Sequence, residues 1–243
     1  MLARSIPTQA GTTKLRKVRT RNYAKNTQRS MTPGRNTKQC WLSANTHTRT
    51  NDMTQVYFNS DLHLGHRNVI TFHDNFRAKC MGVETIEQHD EMIFDLWTDR
   101  VRKRDVIYIL GDVGYQLDRL TALPGRKILM LGNHDKSPAS EYLKIFDNII
   151  GPIKYKKHWL SHFPVHESEL WGKKVICGHT HSTGLNDDRY INVCVEMTGG
   201  VPVNYQDIVS GKYVTWNRVN YPYGVVDNSV NHNPDASKAD SSD

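Results

Sequence analysis

The chain has 243 residues, 37% of them hydrophobic and 23% charged, which suits one folded domain with tails or two small domains. No apolar run approaches the roughly 18 residues of a membrane span, so a membrane is not an expected partner. The net charge of +7 is unevenly held: residues 1–52 carry eleven Lys or Arg against Asp52 alone, giving +10, and the remainder sums to −3.

Residues 1–52 are rich in Thr, Asn, Arg, Lys and Gln and show no apolar periodicity. Such a composition buries too little surface to offset ordering entropy, so a disordered basic extension is expected there. It lacks the apolar stretch of a secretory signal. Three readings stay open. One is a solvated tail, or an over-extended gene start with Met53 as the first residue. Another is an organelle transit peptide, since Met1-Leu-Ala-Arg-Ser opens an Arg-rich, acid-poor stretch. The third is a nucleic-acid arm acting by phosphate neutralisation. Cys40, Cys80, Cys177 and Cys194 include no CxxC pair and read as free thiols. A reducing, cytoplasmic location is therefore expected, with organelle targeting through residues 1–52 as the alternative.

Order is expected from Gln55 to Ser60, a short β-rich run that stops at Asp61. Residues 66–80 read as a loop or short helix. From Glu84 to Arg104 the apolar residues Ile86, Ile93, Leu96, Trp97 and Val101 share one face, which predicts a helix. Val106–Leu110 and Lys127–Leu131 are continuous apolar strands that end at Gly111-Asp112 and at Gly132-Asn133-His134-Asp135. A short helix is expected from Pro138 to Phe146, paired strands over Ile153–Ser161 ending at His162, and a strand over Lys174–Cys177 ending at Gly178-His179. Arg189–Glu196 alternates like a strand, 205–210 suggests a helical turn, and 213–216 a last strand. From Asn228 to Asp243 the chain turns polar and is expected to fray.

One rule connects these elements. Each apolar strand stops, and a Gly or Ser plus a metal-competent side chain follows. In open α/β sheets ligands gather outside the carboxyl ends of strands, and continuous apolar runs suit strands buried on both faces. Gly111, Gly132 and Gly178 let the backbone turn sharply and approach an ion. In Cys177-Gly178-His179-Thr180-His181 two imidazoles come from one loop, which core packing does not require and metal binding does. The donors mix carboxylate, amide and imidazole, a set suited to Mn, Fe, Zn or Ni. Two such cations would clamp the attacking and leaving oxygens of a phosphate ester and lower the pKa of a bridging water, the nucleophile toward phosphorus. A neighbouring histidine, for which His134 beside Asp135 is placed, would protonate the leaving alkoxide.

The segments Asp61-Leu-His63, Gly111-Asp112, Gly132-Asn-His-Asp135, His162 and Gly178-His-Thr-His181 resemble, in order, the five motifs of calcineurin-like metallophosphoesterases. The run Ser60-Asp-Leu-His-Leu-Gly-His66 is similar to compact bacterial and phage-type members, and the likeness spans about residues 55–210. The resemblance implies an α/β fold, a β-sandwich flanked by helices, as a single domain over 53–227 between disordered termini (1–52 and 228–243). It also implies a dinuclear-metal hydrolase for phosphate esters. One ion would be held by Asp61, His63, Asp112 and His181, and the other by Asp112, Asn133, His162 and His179. His134 would be the acid or phosphate contact, with Asp135 as its partner.

Simpler readings stand beside these. Asp61 and Asp112 could be caps or turn formers, Asn133 a left-handed turn residue, and His162 a loop histidine. His66 would touch phosphate or cap the following helix. His73, His89, His158 and His166 read as structural, and Trp97, Trp159 and Trp171 as core or loop packing. The Arg100–Arg104 cluster reads as a solvated helix end. Monoester and diester substrates are not separated by the sequence. The short interval from His162 to His179 leaves no room for a large cap, so nucleotides and nucleic-acid ends stay open as substrates. The remaining alternative is a non-catalytic interaction module on the same scaffold.

Overall fold

The computed structural model describes residues 53–183, 185 and 187–213. The expectations for residues 1–52, for most of the strand at 213–216, for the tail from 228 and for the side chain of His73 lie outside the described residues. Among the described residues nine strands form two sheets. Strands β1 (Val56–Asn59), β2 (Val106–Ile109), β3 (Arg126–Met130) and β4 (Asn148–Ile150) run parallel, with β9 (Val203–Asn204) antiparallel to β1, in the order β4-β3-β2-β1-β9. The second sheet has the order β5-β6-β7-β8, made of β5 (Ile153–Tyr155), β6 (His158–Ser161), β7 (Lys174–Cys177) and β8 (Tyr190–Asn192). There β5 and β6 are antiparallel and the rest parallel. The protein is thus mixed α/β, with helices flanking two mixed sheets.

Side chains alternate across the first sheet, and both of its faces are covered. Tyr57, Ile107, Ile109 and Leu129 pack against Ile93, Phe94 and Trp97 of the helical layer. Phe58, Leu110 and Met130 meet Leu160 and Ile176 of the second sheet. This explains why these strands read as unbroken apolar runs.

The helices are α1 (Phe72–Met81), α2 (Ile86–Arg100), α3 (Ala139–Tyr142), α4 (Val195–Thr198) and α5 (Tyr205–Val209). At the start of α2 the Thr85 side chain accepts from the Gln88 N–H at 3.3 Å, while Gln88 Oε1 accepts from the Glu84 N–H at 2.8 Å, a variant of the capping box. The helix stops four residues before the expected Arg104. Val101 is extended, and Asp105 Oδ2 accepts from the Arg102 N–H at 2.9 Å, so residues 102–105 form a turn rather than a basic helix end. Residues 195–198 are helical rather than extended, and α3 covers only part of 138–146. Strands β4 and β9 have no counterpart in the sequence pattern. Trp97 is core, with its indole N–H on the Pro124 carbonyl at 2.9 Å, whereas Trp171 is 77% exposed. Cys80, Cys177 and Cys194 are buried free thiols. No helix among the described residues is long and apolar enough to cross a membrane.

Candidate metal centre

The C-terminal ends of β1, β2, β3, β6 and β7 open on one rim. The chain beyond β1 and β2 stays paired: the Asp61 N–H donates to Gly111 O, the His63 N–H to Asp112 O and the Leu64 N–H to Val113 O, each at 2.9 Å. That ladder sets Asp61 and His63 against Asp112. His162 follows β6, and His179 and His181 follow β7, so donors arrive from both sheets.

Each carboxylate is held by one oxygen and bare at the other. Asp61 Oδ2 accepts from the Ser60 hydroxyl at 2.6 Å, the His179 N–H at 2.9 Å and the Cys194 thiol at 3.1 Å. Asp112 Oδ1 accepts from the His134 N–H at 2.9 Å. The other oxygens, Asp61 Oδ1 and Asp112 Oδ2, are buried without a hydrogen-bond partner, as is His63 Nε2. Asp112 Oδ2 lies 3.6 Å from His63 Nε2 and 3.5 Å from His162 Nε2, between the two histidines. Asp61 Oδ1 lies 3.5 Å from His181 Nε2 and 4.0 Å from His63 Nε2.

Tautomers sharpen the picture. His162 Nδ1 sits 2.7 Å from the Leu110 carbonyl, which only accepts, so Nδ1 carries the proton. In the neutral ring Nε2 is then a lone pair, facing Asp112 Oδ2 and lying 3.0 Å from Asn133 Oδ1. Likewise His181 Nδ1 lies 2.9 Å from Glu196 Oε1, closer than the 3.3 Å to Arg77 Nη2, so in the neutral ring Nδ1 donates to the carboxylate and the Nε2 lone pair faces Asp61. Lone pairs converging without protons between them are costly unless a cation joins them. Two overlapping groups meet this description: Asp61, His63 and His181, and Asp61, Asp112 and His162. Asn133 stands beside His162, and the His179 ring centroid is 5.1 Å from that of His162. All seven expected ligands are therefore gathered on this rim.

Backbone strain concentrates here. Asp61, His63, Asp112, His179 and His181 all have positive φ, between 45° and 68°. Such conformations cost of order 1–3 kcal/mol each in a non-glycine residue and persist where surroundings impose them. Asn133 does not share them, contrary to the left-handed turn considered for it. Of the three glycines, only Gly111 is left-handed; Gly132 and Gly178 are required for space, because a methyl group there would overlap Asp112 Oδ1 and Ser60 Oγ, respectively.

Two expected roles change. Asp135 does not orient His134. Its Oδ2 accepts from the Asp112 and Gly132 N–H groups at 2.8 Å each and its Oδ1 from the Val113 N–H at 2.9 Å, so it locks the second and third loops together. His134 itself is exposed on the rim, its ring 5.5 Å from that of His63. His66 does not cap the 3-10 turn Arg67–Ile70; its ring packs among His63, Phe72 and Tyr115.

Behind the rim lies a buried charged relay that the sequence did not disclose. Arg77 of α1, 1% exposed, pairs with Glu196 of α4 at 2.7 Å. It also donates to Leu62 O at 3.2 Å and lies 3.4 Å from His89 Nε2. Since arginine only donates, His89 carries its proton on Nδ1, which faces Asp90 Oδ1 at 2.8 Å; Asp90 Oδ2 in turn accepts from the Gly65 N–H at 2.9 Å. Glu196 is held well below the ordinary carboxylate range: Arg77 and His181 overcome the burial that alone would raise it. The His181 pKa is raised, burial being outweighed by Glu196. Burial raises the Asp112 carboxyl against the pull of His162, and the nearby Asp61 adds to the rise.

Burial lowers His63 to about 2 and also lowers His66, His89, His158 and His179. In the unfolded chain these groups titrate near 6.5. Their neutral burial therefore contributes stability that is complete above that pH and is lost as pH falls toward the folded values. His181 has the opposite sign, its contribution disappearing as pH rises through its raised value. Five histidines of the first sign stand against one of the second, so the Tm of the metal-free protein is expected to fall between pH 7 and pH 5. The variant His158→Phe, remote from the rim, should make that fall shallower in a pH series of thermal melts.

Fold and rim together define a mixed α/β protein with histidine–carboxylate groups able to hold metal ions. The chain is 34% identical over 168 residues to the Gene 66 protein of Mycobacterium phage D29, a match covering 54% of this chain and 80% of that protein. It belongs to the family of that Gene 66 protein. An uncharacterized protein of Methanocaldococcus jannaschii is 27% identical over 174 residues, covering 65% of this chain and 90% of that one. Among solved structures, a protein of unknown function from Aquifex aeolicus is similar with a TM-score of 0.51 and 26% identity, over 65% of this chain and 99% of that one. No family model matches the chain.

Proposed function

We propose that this protein is a dinuclear-metal phosphoesterase built on the β-sandwich of calcineurin-like metallophosphoesterases. The observation that carries the proposal is the set of buried, unpartnered donor atoms, Asp61 Oδ1, Asp112 Oδ2 and His63 Nε2, aimed at one another and at the lone pairs of His162 and His181. The order of the five sequence motifs supports it independently. Asp61, His63, Asp112 and His181 would hold one divalent ion, and Asp112, Asn133, His162 and His179 the second, with manganese first among Mn, Fe, Zn and Ni. When bound, such a pair neutralises phosphate charge and makes water a nucleophile near neutral pH.

The chain's own residues do the rest. Asp112 Oδ2, between His63 and His162, shares its charge between the two halves of the site. Asp135 keeps the loops bearing Asp112 and Asn133 in register, and Glu196 fixes the His181 tautomer. His134, exposed on the rim, is placed to hydrogen-bond a phosphate oxygen or give a proton to a departing alkoxide.

The test is metal analysis of the purified chain together with hydrolysis of p-nitrophenyl phosphate and bis-p-nitrophenyl phosphate in added manganese. The expected result is two bound ions and turnover of at least one ester. Two bound ions with neither ester cleaved, or no bound metal at all, would overturn the proposal.

A further inference from the structure

The rim carries exposed aromatic rings where a purely phosphate-reading site needs none. Phe72, Tyr115 and Phe163 are 49%, 72% and 46% exposed, and all three pack against histidines of this site. Phe163 lies beside His179 and His162, with centroids at 4.5 and 4.8 Å. Tyr115 and Phe72 lie beside His66, at 5.7 and 5.9 Å, and His66 is 5.6 Å from His63. One aromatic pad thus adjoins the His162 side of Asp112 and the other the His63 side. Rings exposed on both sides of a polar centre offer two flat apolar faces to a ligand that spans it.

We infer, resting on the phosphoesterase reading above, that the substrate is a phosphodiester between two nucleosides in single-stranded nucleic acid, with Phe163 stacking one base and Tyr115 and Phe72 receiving the other. Two features favour this occupant. A phosphate with a planar group on either side is the repeating unit of a single strand, whereas a side-chain phosphomonoester has a flanking group on one side only. Stacking on aromatic side chains tolerates any base, since every base has a π-face. A duplex hides its base faces by internal stacking and does not fit.

The test compares three probes with the manganese-loaded full chain: the dinucleotide d(TpT), its analogue with one base replaced by an abasic tetrahydrofuran, and the analogue with both replaced. The kcat/KM should fall about tenfold for each base removed. In Phe163→Ala and in Tyr115→Ala the ratio of d(TpT) to the doubly abasic probe should fall about tenfold, and Phe163→Trp and Tyr115→Phe should restore it. A change confined to the metal ligands would move both probes together and leave the ratio alone. Equal kcat/KM for all three probes, or a ratio unmoved in both alanine variants, overturns the inference. So does cleavage of bis-p-nitrophenyl phosphate without cleavage of any dinucleotide, an outcome that leaves the phosphoesterase reading standing. Failure on every ester removes both.

Discussion

Replacing Asp112 by asparagine is expected to reduce phosphoesterase turnover by about a thousandfold or more while leaving the metal-free protein no less stable. The two halves of this result have one cause. The amide keeps the shape of the side chain and an oxygen for the His134 N–H, so the loop should hold its conformation. What disappears is a negative charge whose bare oxygen lies within 3.6 Å of imidazoles on both sides of the site. Without cations that charge is a burden, since burial and the nearby Asp61 push the Asp112 carboxyl upward. With cations bound it would be their shared anchor, and losing several kcal/mol of charge stabilisation corresponds to a rate loss of about this size. Turnover with p-nitrophenyl esters, metal content and melts in chelator read the three quantities separately. Undiminished turnover would refute the site assignment.

The second large effect is expected at a residue remote from phosphate. Glu196→Gln leaves the Arg77 guanidinium, 1% exposed, without its compensating charge. Breaking a buried ion pair from one side costs about 3–5 kcal/mol, which in a chain of this size lowers Tm by roughly 10 °C. His181 also loses the carboxylate that fixes its proton on Nδ1. Disrupting such a partner lowers metal affinity by about 10–100-fold. The double variant Arg77→Leu, Glu196→Gln separates the two contributions: it should recover most of the Tm, because no charge is left stranded, without recovering the affinity. A single variant that melts like the wild type would show that the Arg77–Glu196 pair is not the buried support described above.

Where the sequence spoke clearly, physics had left a local trace. Strands β1, β2, β3, β6 and β7 are covered on one or both faces, so their apolar runs end abruptly, and the donors stand at those ends. Glu196 left no such trace. The run Val193-Cys194-Val195-Glu196-Met197 is buried throughout, and a short run buried on all sides has no period to distinguish strand from helix turn. Its partner Arg77 is 119 residues away, beyond any local pattern. Asp135 misled for a different reason: adjacency to His134 suggested a pair, but three loop N–H groups needed an acceptor and its carboxylate answers them. Val101 continued the apolar face of α2 although the chain had already left the helix for the turn closed by Asp105. Strands β4 and β9, three and two residues long, are too brief for alternation to register.

The division of the candidate ligands between the sheets has a mechanical outcome. Asp61, His63, Asp112 and Asn133 leave one sheet, whereas His162, His179 and His181 leave the other, and the layers pack together through Phe58, Leu110, Met130, Leu160 and Ile176. Any ion seated across the seam is a rivet between the layers, and its binding energy is added to the work of prying them apart. Resistance to heat and to proteases should then track the free manganese in the buffer, rising with it and collapsing on addition of a chelator. Catalytic loading and durability would be set by the same dial.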